Sequence, residues 1–285
     1  MAKVEFKIPK IEDMLEAGVH FGHQSKRWHP YMQKYIYSTD NKTHIINIYK
    51  TQEMLEKACE FLYETAKLGK QIVFVGTKRQ AVEIVERNAK DSGALFVTQR
   101  WLGGTFTNYN SVKKNWKELV DLKEKRETNG FSHYTKRERL LIDRKIDKLE
   151  LFVGGIVGMR KFPGAMIVID TKRDRTAVRE ANQVEVPVVG LVDTNTDPTN
   201  VNYVIPANDD AIKSLDLLIN AMGDAIKQGY EEYFNESTPA EAKVEVKAKE
   251  VKPEVKEPKV KEAKVPAEVK ASKEVKETKT PKKVK

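Results

Sequence analysis

Four short runs limit what this chain can fold into: QIVFVG at 71–76, ALFV at 94–97, AMIVID at 165–170 and VPVVGLVD at 186–193. None of them alternates apolar with polar residues. A strand with one wet face does alternate, so the run at 71–76 reads as a strand buried on both faces. The segments between the runs carry apolar residues at spacings of three and four. Met54, Leu55, Ala58, Phe61 and Leu62 mark one predicted helix over 51–68, ended by Gly69. Lys78-Arg79 open a second, with Ala81, Val82 and Val85 facing inward, and a third covers 173–183. A last short strand is expected at 202–206. Asn208 or Asp209 then caps a long helix to 228 whose apolar face is Ile212, Leu215, Leu218, Ile219 and Met222. Strand, helix and strand joined by short connections form the repeating unit of a parallel sheet, so the fold class is α/β.

The alternation breaks at 111–151, which holds no strand. Val112, Trp116 and Leu119 form one stripe, Ile142, Ile146 and Leu149 a second, and the polar turn ETNGFSHY lies between them. Thr135 and Glu138 have the spacing of a capping box. The expectation is an antiparallel coiled-coil hairpin inserted into the sheet domain. GGIVG at 154–158 reads as a flexible return to the sheet. Before the first long helix, Ile11, Met14 and Leu15 suggest a short helix ended at Gly18. Residues 18–32 are too polar for core. Short strands are expected at 35–37 and 44–48, joined by a turn at Asn41-Lys42-Thr43.

The predicted organisation is therefore 1–110, first part of the α/β domain; 111–151, hairpin; 152–235, second part; and 236–285, a tail. The tail has 15 Lys, 10 Glu, Val, Ala and Pro, with no Leu, Ile, Met or aromatic residue. It cannot bury enough apolar area to offset the entropy of ordering, so it is expected to be disordered, a solvated spacer. The net charge of +9 divides almost evenly between tail and body. The body is only mildly basic, and any surface for a polyanion must be a local patch.

Several chemistries find no support. Cys59 is the only cysteine, which excludes an intrachain disulfide or a cysteine metal cluster. FVGTKR has a single glycine before its lysine, unlike a phosphate-binding loop, and GGIVG lacks the register of a dinucleotide fingerprint. The five histidines form no HExxH motif, and no GxSxG elbow is present. The start of the chain has no apolar core of a signal peptide, and no stretch approaches the roughly 18 apolar residues of a membrane span. A soluble cytoplasmic protein with no membrane partner is expected.

Cations and rings interleave at four places: KRWHPY (26–31), NKTH (41–44), TKR (77–79) and RW (100–101). Arg and Lys neutralise phosphate, and aromatic rings stack on unpaired bases. Connections after parallel strands collect on one edge of the sheet, so TKR, RW and the loop after Asp193 should be neighbours. The candidate RNA-binding residues are Lys26, Arg27, Trp28, Lys42, Lys78, Arg79, Arg100, Trp101 and Asn108. Arg and Lys would hold phosphates, Trp would stack or wedge, and Asn108 would bond sugar or backbone. The stretch 99–111 reads as a junction where Gly103-Gly104 let backbone approach closely before the hairpin begins. No catalytic residue is singled out. The competing class is an enzyme that binds a nucleotide on the doubly wound sheet.

Six motifs in fixed order carry a resemblance: AGVHFGHQ (17–24), NKTHIIN (41–47), FVGTKR (74–79), RWLGGTFTN (100–108), LVDTNTDP (191–198) and VIPANDDAI (204–212). Across 11–228 the chain resembles the bacterial small-subunit ribosomal protein S-two family. His29 and Tyr31 depart from its usual pattern. The resemblance implies a flavodoxin-like or Rossmann-like domain with an inserted helical hairpin. It implies a ribosome-bound structural protein between head and body of the small subunit, binding small-subunit rRNA. It further implies neighbouring small-subunit proteins as partners, help in recruiting ribosomal protein S-one, and neither catalysis nor a required cofactor. Some relatives hold a metal ion, and the matching residues are His23, Asp193 and Asp209. One imidazole and two carboxylates suit zinc or magnesium, while the plainer reading makes both aspartates turn and helix caps.

Overall fold

The computed structural model describes residues 6–128, 130–160 and 162–236. The tail expected at 236–285 lies outside these residues apart from the last helical position.

The chain opens with helix α1, Ile11–Glu16, whose Met14 is buried, and turns at Gly18. Strand β1, Phe21–Gln24, follows, then a 3-10 turn over Pro30–Tyr35, β2 at Ile36–Asp40 and β3 at Thr43–Ile46. These strands make a small antiparallel sheet of order β1-β3-β2. Asn41 and Lys42 join β2 to β3 with φ of 45° and 65°, the conformation of a two-residue turn matched to strand twist.

Asn47 caps α2, Ile48–Lys67, by accepting from the Tyr49 and Lys50 amides. The alternating part follows: β4 at Ile72–Val75, α3 at Val82–Ser92 and β5 at Leu95–Val97. Then come the paired helices α4, Tyr109–Glu127, and α5, Lys136–Val153. The Thr135–Glu138 capping box is formed at the start of α5. Strand β6 at Ala165–Val168, α6 at Arg175–Gln183, β7 at Val188–Val192, β8 at Tyr203–Pro206 and α7 at Ile212–Glu236 complete the chain.

The second sheet is wholly parallel, with order β5-β4-β6-β7-β8. Numbered within that sheet the order is 2-1-3-4-5, the doubly wound flavodoxin-like arrangement. Its crossovers put helices on both faces, so β4, β6 and β7 are buried throughout. Alternate residues face alternate layers. Ile72, Phe74, Ile167 and Leu191 pack with Leu55, Leu62, Leu218 and Met222 of α2 and α7. Val73, Val75, Met166 and Val168 pack with Val178 of α6 and with Trp101, Phe106, Leu119 and Ile146. The helical pair is thus continuous with the second core layer.

Two details differ from expectation. Gly155, in the supposedly flexible return, sits where an added Cβ would come 2.2 Å from the Phe96 carbonyl oxygen, so close approach to β5 requires glycine there. Helix α7 runs past Gly229 to Glu236. Its last turns dock on α2, where Glu232 pairs with Lys67 at 2.9 Å.

Candidate nucleic-acid interface

The junction between β5 and α4 is organised by a carboxylate from another element. Glu180 of α6 is 8% exposed. It accepts from the Trp101 indole N–H at 3.3 Å, the Gly104 amide at 2.6 Å and the Phe106 amide at 3.1 Å. Trp101 is 6% exposed and meets Phe106 edge to face, centroids 5.0 Å apart. A ring so held is a core element, and stacking on RNA from this position is not open to it. Gly104 has φ of 92°, so it serves a backbone conformation. Nothing lies within 4 Å of a Cβ built at Gly103, so the expected close approach is absent there. Arg100, Thr107 and Asn108 remain exposed, and the Asn108 Oδ1 accepts from Ser111.

Where the strand order reverses, between β4 and β6, the strand ends bring together charged residues of opposite sign. Lys78 Nζ lies 2.9 Å from Asp209, 2.6 Å from Asp210 and 4.0 Å from Asp170. Burial works against the charge on Lys78, but the two close carboxylates outweigh it and raise its pKa. The lysine expected to hold phosphate is thus buried and already neutralised. Beside it the Thr77 hydroxyl donates to Asp174 at 2.9 Å and accepts from Arg173 Nε at 3.0 Å. Burial raises the Asp174 pKa. Burial also raises that of Asp209, with Asp193 and Asp170 alongside, up to about 7.

His23 reaches this cluster from β1. Its Nδ1 is 3.0 Å from Asp193 Oδ2, poorly aligned for a hydrogen bond, and its Nε2 is 3.6 Å from Asp210. Contact with Asp193 raises the His23 pKa against the effect of burial. Of the three residues suggested for a metal, His23 and Asp193 meet, while Asp209 is turned to the Lys78 ammonium. Among the described residues no group of three or more His, Cys, Asp or Glu side chains is placed to hold a metal ion. As they stand these residues do not present a coordination set. Asn208, rather than Asp209, accepts from the amides of 210 and 211 ahead of α7.

The remaining candidates are at the surface. The Lys42 carbonyl accepts from the Ser25 amide at 2.8 Å and the Ser25 hydroxyl at 3.0 Å. This ties the turn after β1 to the β2–β3 turn and brings exposed Lys26, Arg27 and Lys42 to one corner. Trp28 is half-buried against the His44 ring, centroids 5.3 Å apart. The His29 amide donates to the Thr194 carbonyl at 2.7 Å, fastening this corner to the end of β7. Arg79 is exposed at the end of β4.

Sequence reading missed Lys172, Arg173, Arg175 and Arg179, all exposed beyond β6. A signal was available. Thr171-Lys172-Arg173 repeats Thr77-Lys78-Arg79, and the two runs follow adjacent strands.

With this geometry in place, a comparison with protein-family models matches residues 14–229 to the family described as Ribosomal protein S2. The matched span takes in both sheets, the paired helices, the charged cluster and each surface cation discussed above. A match over more than half of the chain, in register with the fold, decides the kinship: the chain belongs to the ribosomal protein S2 family.

Proposed function

We propose that this protein is a structural constituent of the small ribosomal subunit and binds small-subunit rRNA, acting in translation without catalysing a reaction. The observation that carries the reading is the family match across 14–229. In this reading the protein is cytoplasmic and ribosome-bound, sits between head and body, and helps ribosomal protein S-one to join the subunit. No helix among the described residues is long and apolar enough to cross a membrane. The RNA face consists of Lys26, Arg27 and Lys42 at the small sheet, Arg79 and the Lys172–Arg179 group at the strand ends, and Arg100 with Asn108 at the junction. Trp28 lends a partly accessible ring. Apart from Arg179, which lies midway along α6, each of these cations is on a connection or at a helix start. Phosphate contacts of this kind position a protein without reading sequence.

The nucleotide-binding enzyme is the weaker reading for a physical reason. The crevice where doubly wound sheets hold ligands here contains Asp170, Asp193, Asp209 and Asp210 around one lysine. Carboxylates in that number repel a phosphate.

Replacing Arg27, Lys42 and Arg100 together by Gln tests the assignment. Incorporation of the full chain into small subunits is expected to be weaker than for the unaltered chain at every salt concentration, with a shallower dependence of binding on salt because phosphate contacts are lost. Equal occupancy at raised salt would remove these residues from the interface.

A further inference from the structure

The switch point carries a cation supplied by the chain itself. Lys78 follows β4, and its Nζ lies 2.6 Å from Asp210 and 2.9 Å from Asp209, both ahead of α7, and 4.0 Å from Asp170 beyond β6. The two shorter separations are those of charge-assisted hydrogen bonds. Asp193, next after β7, adds its charge beside Asp209. The side chains of Asp193 and Asp209 are 1% and 5% exposed. Four carboxylates drawn from separate connections repel one another unless a positive charge lies among them, and the Lys78 ammonium is that charge.

Next to this ion pair stands part of a coordination set. His23 Nδ1 and Asp193 Oδ2 are 3.0 Å apart, both closed to solvent, and neither has an aligned hydrogen-bond partner among the described residues. Buried polar atoms are normally satisfied. Two such atoms at this separation have the spacing of neighbouring ligands on one ion held at about 2.0–2.2 Å from each. The other Asp193 oxygen accepts from the Thr194 amide and hydroxyl, which fixes the carboxylate with Oδ2 toward His23. Asp209 is the residue that would complete the set, and its Oδ1 is taken by Lys78. A divalent ion beside that ammonium is repelled by it. The set is thus interrupted by one lysine, not by a lack of ligands.

We propose that Lys78 is an internal counter-ion that keeps a divalent-cation site closed. Its ammonium stands where the bound ion of a metal-holding relative would draw the carboxylates together. Removing that charge frees Asp209 to join His23 and Asp193 around an ion, and an imidazole with two carboxylates favours zinc. With Lys78 in place the crevice is held by the chain's own cation and needs no metal. The inference does not depend on the ribosomal role proposed above.

The test uses the purified full chain, stripped with chelator and then titrated with zinc chloride, with calorimetry and melting as readouts. The unaltered chain is expected to bind no zinc that depends on His23 and to melt at one temperature with and without the ion. Lys78→Met keeps an unbranched side chain and removes the charge. It is expected to melt lower in chelator, to bind one zinc ion per chain and to recover about 5–10 °C at a hundredfold excess over the dissociation constant. Adding His23→Ala to Lys78→Met should abolish both the binding and the recovery. If Lys78→Met does not fold in chelator, folding induced by zinc and abolished by His23→Ala is the same expected result, read by circular dichroism. A zinc ion held by the unaltered chain and lost in His23→Ala overturns the proposal, because the ammonium then does not exclude it. A Lys78→Met chain that zinc neither binds nor stabilises, or whose zinc survives His23→Ala, overturns it equally.

Discussion

At the scale of single residues, two buried carboxylates do different work. Glu180 holds the β5–α4 junction through three donors. Glu180→Ala leaves two backbone amides and an indole N–H without their acceptor. It is expected to cost about 3 kcal/mol, read as a lower urea midpoint. An unchanged midpoint would show the junction is held by other contacts. Asp209 makes stability depend on pH. Its folded pKa is up at about 7, against about 3.9 for an unperturbed aspartate. A raised acid holds its proton more tightly when folded, so its contribution is present below the unfolded value and is lost as pH rises through the folded one. His23, also raised, loses its contribution as pH rises and thus has the same sign. The melting temperature should therefore fall as pH rises from about 4 to about 7, with His23 adding to the upper end of that fall, and Asp209→Asn should flatten it. A profile identical in both proteins would contradict this. Neither carboxylate's role was legible beforehand. Trp101 follows an arginine and precedes two glycines, which reads as surface, and the residue that buries it lies 79 positions on. Lys78 looked like a phosphate ligand because its three aspartate neighbours come from distant strand ends.

Elements were more legible, because their signals are local. The continuous apolar runs became β4, β6 and β7, the Thr135–Glu138 spacing became a formed capping box, and Asn41-Lys42 became the β2–β3 turn. The end of α7 was not legible. Gly229 looks like a stop, yet it marks a close passage, where an added Cβ would lie 2.6 Å from the Tyr63 carbonyl oxygen. Beyond it the Tyr230 hydroxyl accepts from the Ile72 amide at 3.1 Å and donates to the Lys70 carbonyl at 2.9 Å. This contact pins the final turns to the start of β4. Tyr230→Phe is expected to destabilise the fold by about 1–3 kcal/mol and to raise amide exchange at Ile72. Protection at Ile72 equal to that of the unaltered chain would show that the hydroxyl does not matter. Periodicity describes an amphipathic face, but it does not show which glycine passes under a neighbouring helix.

For the whole molecule, the doubly wound sheet acts as a scaffold. Its strand ends gather residues from widely separated positions onto one edge, and there the charges sort by depth. Asp174 and Asp209 lie inside and satisfy Thr77 and Lys78, while Arg79 and Lys172 on the same loops, and Arg175 and Arg179 on the following helix, are exposed. The small antiparallel sheet adds a second cationic corner, joined to the first through His23 and His29. This arrangement explains why a mildly basic body can present a local surface for a polyanion and why the usual ligand crevice of the fold is closed to one. The order of the motifs was enough to suggest the family, whereas sorting buried from exposed cations required the three-dimensional arrangement. The central claim is a stable place in the small ribosomal subunit, and sedimentation of a cell lysate at moderate salt tests it most directly. The account predicts that the full chain migrates almost entirely with small subunits and intact ribosomes; a chain found only at the top of the gradient would contradict it.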